Sequence, residues 1–128
     1  MLRTKQDRVS GEYGEYVVEQ HYGGERFPKP NNKGCDILLP DGRRAEVKTR
    51  RVETRTPKWF GPMRSLTDQE QPFELLVAVL FDPDFAGAQV WAMDWNTARR
   101  HAKKYANTLP YTGAWREDPP VERFRLSA

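Results

Sequence analysis

Apolar residues recur at helical spacing across residues 9–22: Val9, Tyr13, Tyr16 and Val17 fall on one stripe, which predicts a helix that buries that stripe. Ser10 is the predicted N-cap, and Gly23-Gly24 the stop, because glycine tolerates the left-handed conformation at a helix end. Residues 25–27 predict a short strand closed by Pro28 and Pro30. Residues 35–39 and 43–51 flank Pro40-Asp41-Gly42, turn chemistry that predicts a β-hairpin. Residues 52–71 are rich in Pro, Thr and charge, with one short helix predicted at 66–70. Residues 73–81 are almost continuously apolar, the pattern of a central strand covered on both faces. A further strand is predicted at 89–93, after a turn at 82–87. Asp94 or Asn96 then caps a second helix reaching about residue 107, with Trp95, Ala98, Ala102 and Tyr105 facing inward. Residues 121–126 form a last candidate strand. This order predicts an α/β fold, a mixed β-sheet flanked by helices. At 128 residues the chain suits a single domain over 1–128.

Composition narrows the class. A hydrophobic fraction of 38% with four Trp, five Tyr and six Phe excludes a disordered chain. The longest apolar run is too short to cross a bilayer, and residues 1–5 do not lead into an apolar signal region, so no membrane partner and a cytoplasmic location are expected. The single cysteine, Cys35, excludes an internal disulfide and a cysteine-rich zinc site; it reads as a packed residue. Net charge is +3 and the pI about 9.1. Basic residues are clustered: 43–58 holds seven against two acids, and Arg99, Arg100, Lys103 and Lys104 stand in a stretch without acids. Such clusters neutralise phosphates, although either alone also suits an ordinary solvated surface.

The chemistry-bearing residues lie in the hairpin. Side chains alternate along a strand, so Glu46 and Lys48 share a face and Val47 points the other way. Asp36 opens the partner strand, and folding back through the turn brings all three toward one end of the sheet. Two carboxylates are hard oxygen ligands of the kind Mg²⁺ takes together with water and substrate phosphate. A lysine beside them can orient or deprotonate a water, or stabilise charge on a phosphorane-like transition state. The Val47 carbonyl is a further candidate metal ligand. Alternating charge on an exposed hairpin is the structural alternative.

Asp36, nine intervening residues, then Glu46-Val47-Lys48, set in Gly34-Cys35-Asp36-Ile37-Leu38-Leu39 and Ala45-Glu46-Val47-Lys48-Thr49-Arg50, resembles the signature of the PD-(D/E)XK nucleases, Holliday-junction resolvases among them. The resemblance covers roughly residues 10–81. It departs from the pattern at Cys35, which replaces the proline, and in a crossover poor in helical signal. It implies a restriction-endonuclease-like fold and Mg²⁺-dependent phosphodiester hydrolysis, with Mn²⁺ able to substitute. It further implies a metal held by Asp36, Glu46 and the Val47 carbonyl, and a glutamate from the leading helix. Glu15 best matches that position, ahead of Glu12 and Glu19, with an acidic solvent face as the structural alternative.

The expected activity is therefore a DNA endonuclease acting on branched or otherwise structured DNA, catalytic at Asp36, Glu46, Lys48 and Glu15. A homodimer or a partner protein would supply selectivity. Arg50, Arg51, Arg55 and Lys58, with Arg99, Arg100, Lys103 and Lys104, are the candidate nucleic-acid contacts. Trp59 and Phe60 are assigned to the core, and Thr49 stands beside the lysine in a structural or a site role. His21 and His101 lack partners at ligand or triad spacing and receive no catalytic role. The alternatives are a catalytically inactive nucleic-acid-binding subunit of the same fold, and a basic adaptor domain.

Overall fold

A computed structural model describes residues 5–26, 37–52, 59–61, 63, 66, 71 and 73–127. It opens with helix α1 (Lys5–Tyr22), followed by strands β1 (Glu25–Arg26), β2 (Ile37–Leu38), β3 (Arg44–Arg51), β4 (Trp59–Phe60), β5 (Leu75–Phe81) and β6 (Gly87–Asp94). Helix α2 (Trp95–Ala102), strand β7 (Leu109–Pro110) and strand β8 (Glu122–Ser127) complete it. Six strands make one mixed sheet in the order β1-β2-β3-β5-β6-β8, and β4 pairs with β7 apart from it. β1, β2 and β3 form an antiparallel meander, β3 and β5 run parallel, and β6 and β8 continue antiparallel.

The parallel β3–β5 pair forces a crossover, since parallel neighbours cannot be joined by a tight turn. Residues of that crossover, Phe60, Met63 and Leu66, cover one sheet face together with α2, and α1 covers the other. β5 is therefore sandwiched, and all seven of its residues are buried, as its continuous apolar pattern predicts. Alternation divides it: Leu76, Ala78 and Leu80 pack with Trp91, Trp95, Ala98 and Trp115, whereas Leu75, Val77, Val79 and Phe81 pack with Val18, Ile37 and Val90.

The expected α/β class and mixed sheet are observed. Several local expectations need correction. α1 begins at Lys5, so Ser10 lies inside the helix and does not cap it; Lys5, Gln6 and Arg8 are good helix formers that carry the helix further back. Of the expected stripe, Tyr13 and Val17 are half-buried against the core and the Val9 side chain lies outside the described residues, whereas Tyr16 is 48% exposed and the fully buried positions are Gly14 and Val18. The reason is close approach: a Cβ on Gly14 would stand 2.0 Å from Thr49 Oγ1 on β3. The helix seats on Gly14, and the tyrosine stripe is turned toward the sheet's margin. α2 is capped by Asp94, whose Oδ1 accepts the Thr97 N–H at 2.7 Å. It ends at Ala102, short of residue 107, passing into a 3₁₀ turn and then left-handed backbone at Ala106 and Asn107. The tighter turn rotates Tyr105 outward, so it is exposed and not a core residue. β6 is longer than expected at both ends, and the β4–β7 pair was not anticipated. Phe60 is fully buried, as assigned. Cys35, Asp36, Phe27, Arg55, Lys58 and residues 67–70 lie outside the described residues.

Candidate active site

Glu46 and Lys48 stand at alternate positions of β3, and the structure brings them together: Lys48 Nζ lies 3.4 Å from Glu46 Oε1. Their Cα partners on β5 are Leu76 and Ala78, so the pair extends from the sheet face that α2 and the crossover cover. The two environments differ. Glu46 is 8% exposed, with its carboxylate set beside apolar β5, while the Lys48 side chain keeps 30% of its surface open to solvent. The arrangement is a buried anion with a cation at its mouth. A buried carboxylate needs a cation or hydrogen-bond donors to remain charged, and Lys48 supplies the former.

One edge of β3 is flanked by β2. β2 pairs with it only through Ile37↔Ala45 and Leu38↔Arg44, and among the described residues no strand continues that pairing beside Glu46 or Lys48. The sequence residue bonded to Ile37 is Asp36, which lies outside the described residues. Val47 is buried toward α1 with Val18 and Val77, as alternation predicts.

Glu15 belongs to α1 and is half-buried. α1 meets β3 through Gly14 and Thr49, on the face opposite Glu46 and Lys48. Glu19 is engaged elsewhere: its Oε2 accepts the Arg26 Nε–H at 2.9 Å. The side chain of Glu12 is outside the described residues. Among the described residues no group of three or more His, Cys, Asp or Glu gathers as a metal site. Glu46 fits such a site as one hard oxygen donor held in place.

A second carboxylate fixes the strand that carries the pair. Glu74, just before β5, accepts the Arg44 backbone N–H at 2.8 Å and the Arg44 Nη2–H at 2.6 Å, while its own N–H donates to Arg44 O at 2.9 Å. The Arg44 hydrogen bonds hold the Glu74 carboxyl below its ordinary value of 4.5. This double tie sets the β3–β5 register two residues before Glu46. Nothing in the local sequence pairs Arg44 with a residue 30 positions away, so the contact was not legible there.

The basic candidates divide by face. Arg50 lies with Glu46 and Lys48, its Nη1 donating to Thr49 O at 2.8 Å. Arg51, one residue on, sits on the α1 face, with its guanidinium carbon 5.2 Å from the Phe85 ring centroid. On α2, Arg99 lies over Trp95 at 4.9 Å. Arg100 Nη2 donates to Asp118 Oδ2 at 2.7 Å, and His101 Nε2 is 2.7 Å from the same oxygen. His101 thus has a partner that local spacing does not reveal. Its hydrogen bond, with that from Arg100, holds the Asp118 carboxyl below its ordinary value of 3.8. The cluster fastens α2 to the turn before β8. Lys103 and Lys104 are exposed, with no ion pair among the described residues. No described helix is long and apolar enough to cross a membrane.

No protein-family model matches the chain, and no curated protein matches it in sequence.

Proposed function

We propose that the protein is a Mg²⁺-dependent endonuclease of the PD-(D/E)XK type, with a restriction-endonuclease-like fold, that hydrolyses phosphodiester bonds of branched or otherwise structured DNA. The observation that carries the reading is the Glu46–Lys48 pair, 3.4 Å apart on one face of β3, with the carboxylate buried and the ammonium open. The element order supports it in part: a leading helix, a meander of strands and a further strand are present, and the crossover helix that the resemblance also implies falls on a stretch that lies mostly outside the described residues. Ile37, which follows Asp36 in the sequence, pairs with Ala45, which precedes Glu46.

In this reading Asp36, Glu46 and the Val47 carbonyl would hold Mg²⁺, with Glu15 as a fourth candidate. The bound ion supplies Lewis-acid polarisation of the phosphate and a more acidic water. Glu46 acts as a fixed anion: its burial limits competing water, and the Lys48 ammonium stands 3.4 Å from its Oε1. Lys48 donates hydrogen bonds to a phosphate oxygen or positions the attacking water, and its ammonium offsets charge that builds in the transition state. Arg50 lies on the same strand face. α2 packs over this face, and its exposed continuation, Lys103 and Lys104, gives sequence-independent phosphate contacts. Arg99 completes that basic surface, and Arg100 joins it while tied to Asp118. Arg55 and Lys58 belong to the crossover and are proposed to approach the same backbone. A homodimer would bring two such centres to the two strands of a duplex.

The test is cleavage of plasmid, four-way junction and single-stranded DNA with Mg²⁺, Mn²⁺ or EDTA. Mg²⁺ and Mn²⁺ should support cleavage and EDTA abolish it. Lys48→Met, Glu46→Gln and Asp36→Asn should each lower the rate by about 10²–10³-fold. Cleavage that survives EDTA, or an unchanged Lys48→Met rate, overturns the mechanism. Salt-sensitive binding without cleavage favours an inactive nucleic-acid-binding subunit, and absence of both favours an adaptor domain.

A further inference from the structure

On the opposite face of the sheet, α1 and the ends of β5, β6 and β8 enclose a cleft of about 350 Å³. Tyr13, Tyr16, His21, Phe81 and Phe85 give it aromatic walls. Tyr13 stacks on Phe81, centroids 4.9 Å apart and planes 21° apart, and lies 6.2 Å from Phe85. Tyr16 stands 6.4 Å from Tyr13 and is exposed. Val17 and Gln20 follow on the same helical stripe. The apolar stripe of α1 thus opens in part onto a cleft and does not all enter the core.

Phe85 is delivered by strained backbone. Its φ is +61°, a left-handed conformation uncommon for a bulky residue. Such outliers persist where surrounding structure over-determines them, often at binding sites. Arg51, whose Cα partner is Phe81, lays its guanidinium beside the same ring at 5.2 Å. The acids of the adjoining turn are engaged: Asp82 with Arg125, and Asp84 with the Ala86 N–H at 2.9 Å. The cleft therefore combines aromatic side chains with the Gln20 amide and His21 imidazole on its helix wall, and Arg51 lies beside one of its lining rings, Phe85.

We propose that this cleft is a nucleotide-binding site, which stacks a nucleobase against Tyr13 and Tyr16 and takes its phosphate on Arg51. The volume lies at the low end of ligand pockets and suits one ring system better than a peptide helix. Aromatic faces bind bases with little sequence preference, and the guanidinium selects an anionic ligand. The nucleotide is either free or part of a single strand. The inference does not rest on hydrolysis at Glu46 and Lys48, which lie on the other sheet face.

Binding is measured by calorimetry and chemical-shift perturbation on Lys48→Met protein, so that no probe is cut. The probes are uridine and adenosine 5′-monophosphates, their nucleosides, ribose 5-phosphate and a short single-stranded oligonucleotide. The mononucleotides should saturate the site, the nucleosides bind several-fold more weakly, and ribose 5-phosphate leave the α1 resonances unmoved. Tyr16→Ala should weaken nucleotide binding about tenfold, and Arg51→Gln should erase the advantage of the phosphate. Tyr16→Leu keeps apolar area while removing the ring, so it gives the same loss if Tyr16→Ala folds poorly. An oligonucleotide that binds tighter than its mononucleotide, and still depends on Tyr16, identifies a single strand as the ligand; equal affinity identifies the free nucleotide. Absence of saturation by any nucleotide at millimolar concentration, or full affinity in both Tyr16→Leu and Arg51→Gln, overturns the proposal. Cleavage intact alongside that result would leave the endonuclease reading standing.

Discussion

Gly14→Ala sets two effects against each other at the joint between α1 and β3. Alanine is the better helix former, by about 1 kcal/mol in a helix interior. Here its methyl group would stand 2.0 Å from Thr49 Oγ1 and 2.9 Å from both Thr49 Cβ and Cγ2. Rotating the threonine cannot clear the contact, because Cβ itself is too near. Optimal carbon contacts lie at about 3.5–4.0 Å, so roughly an ångström of separation must open between helix and strand. Overpacking of this kind costs about 1–3 kcal/mol, and rigid backbone on both sides puts this site toward the upper end. The expected net loss is about 1–2 kcal/mol, read as a lower urea midpoint with unchanged slope. The double variant with Thr49→Ala should recover part of it, since that change removes Oγ1 and Cγ2 and leaves Cβ. Thr49→Ala alone should cost little beyond its methyl group, because its buried hydroxyl has no hydrogen-bond partner among the described residues. A Gly14→Ala protein as stable as the parent, or stability losses that simply add in the double variant, would refute the close-approach argument.

Glu74→Gln should remove the charge from the tie to Arg44 and destabilise the protein by about 1 kcal/mol at neutral pH, given that the pair is partly solvent-screened. Because the folded Glu74 pKa is depressed below 4.5, its contribution is present above that value and lost as pH falls through the folded one. Urea midpoints of parent and variant should therefore converge as pH drops from about 7 to about 3, and a constant gap would exclude this linkage. Trp115→Phe removes the Nε1–H donated to Pro110 O at 2.8 Å within a buried site; a loss of about 1–3 kcal/mol is expected in thermal unfolding, and a Tm unchanged from the parent would count against it. Leu76→Ala, which opens the core beside Glu46 on the neighbouring strand, should cost about 2–5 kcal/mol, measured by the same unfolding curve.

The elements with strong period were the legible ones. β5 carries an unbroken apolar run because it is covered on both faces, and α2 shows a cap and an apolar stripe because it packs on one. The Glu46–Lys48 pair was legible for the same reason: alternation is enforced by strand geometry, whatever the rest of the fold does. What escaped was set by contacts distant in sequence. Arg44 with Glu74, and His101 with Asp118, join residues 30 and 17 positions apart, and no local pattern announces either. The burial of α1 was misread because hydrophobicity nominated Tyr16, whereas packing depth is decided by size at Gly14. Apolar character predicts which side of a helix leaves bulk water; it does not distinguish a core from an open aromatic cleft.

Strand alternation also gives the adjacent arginines different work. Arg50 and Arg51 look like one basic run, yet a single peptide unit sends them to opposite faces of β3. One lies in line with Glu46 and Lys48 and the other stands over Phe85. A one-residue register shift would exchange those faces and place Ala45 or Val47 where Glu46 stands. The Arg44–Glu74 tie and the Gly14–Thr49 contact oppose such a shift from different sides, one at the start of β3 and one near its end. The proposed centre on one face and the proposed nucleotide cleft on the other therefore depend on the same register. Perturbing either lock should disturb both sites, whereas Tyr16→Ala and Lys48→Met should each disturb only one.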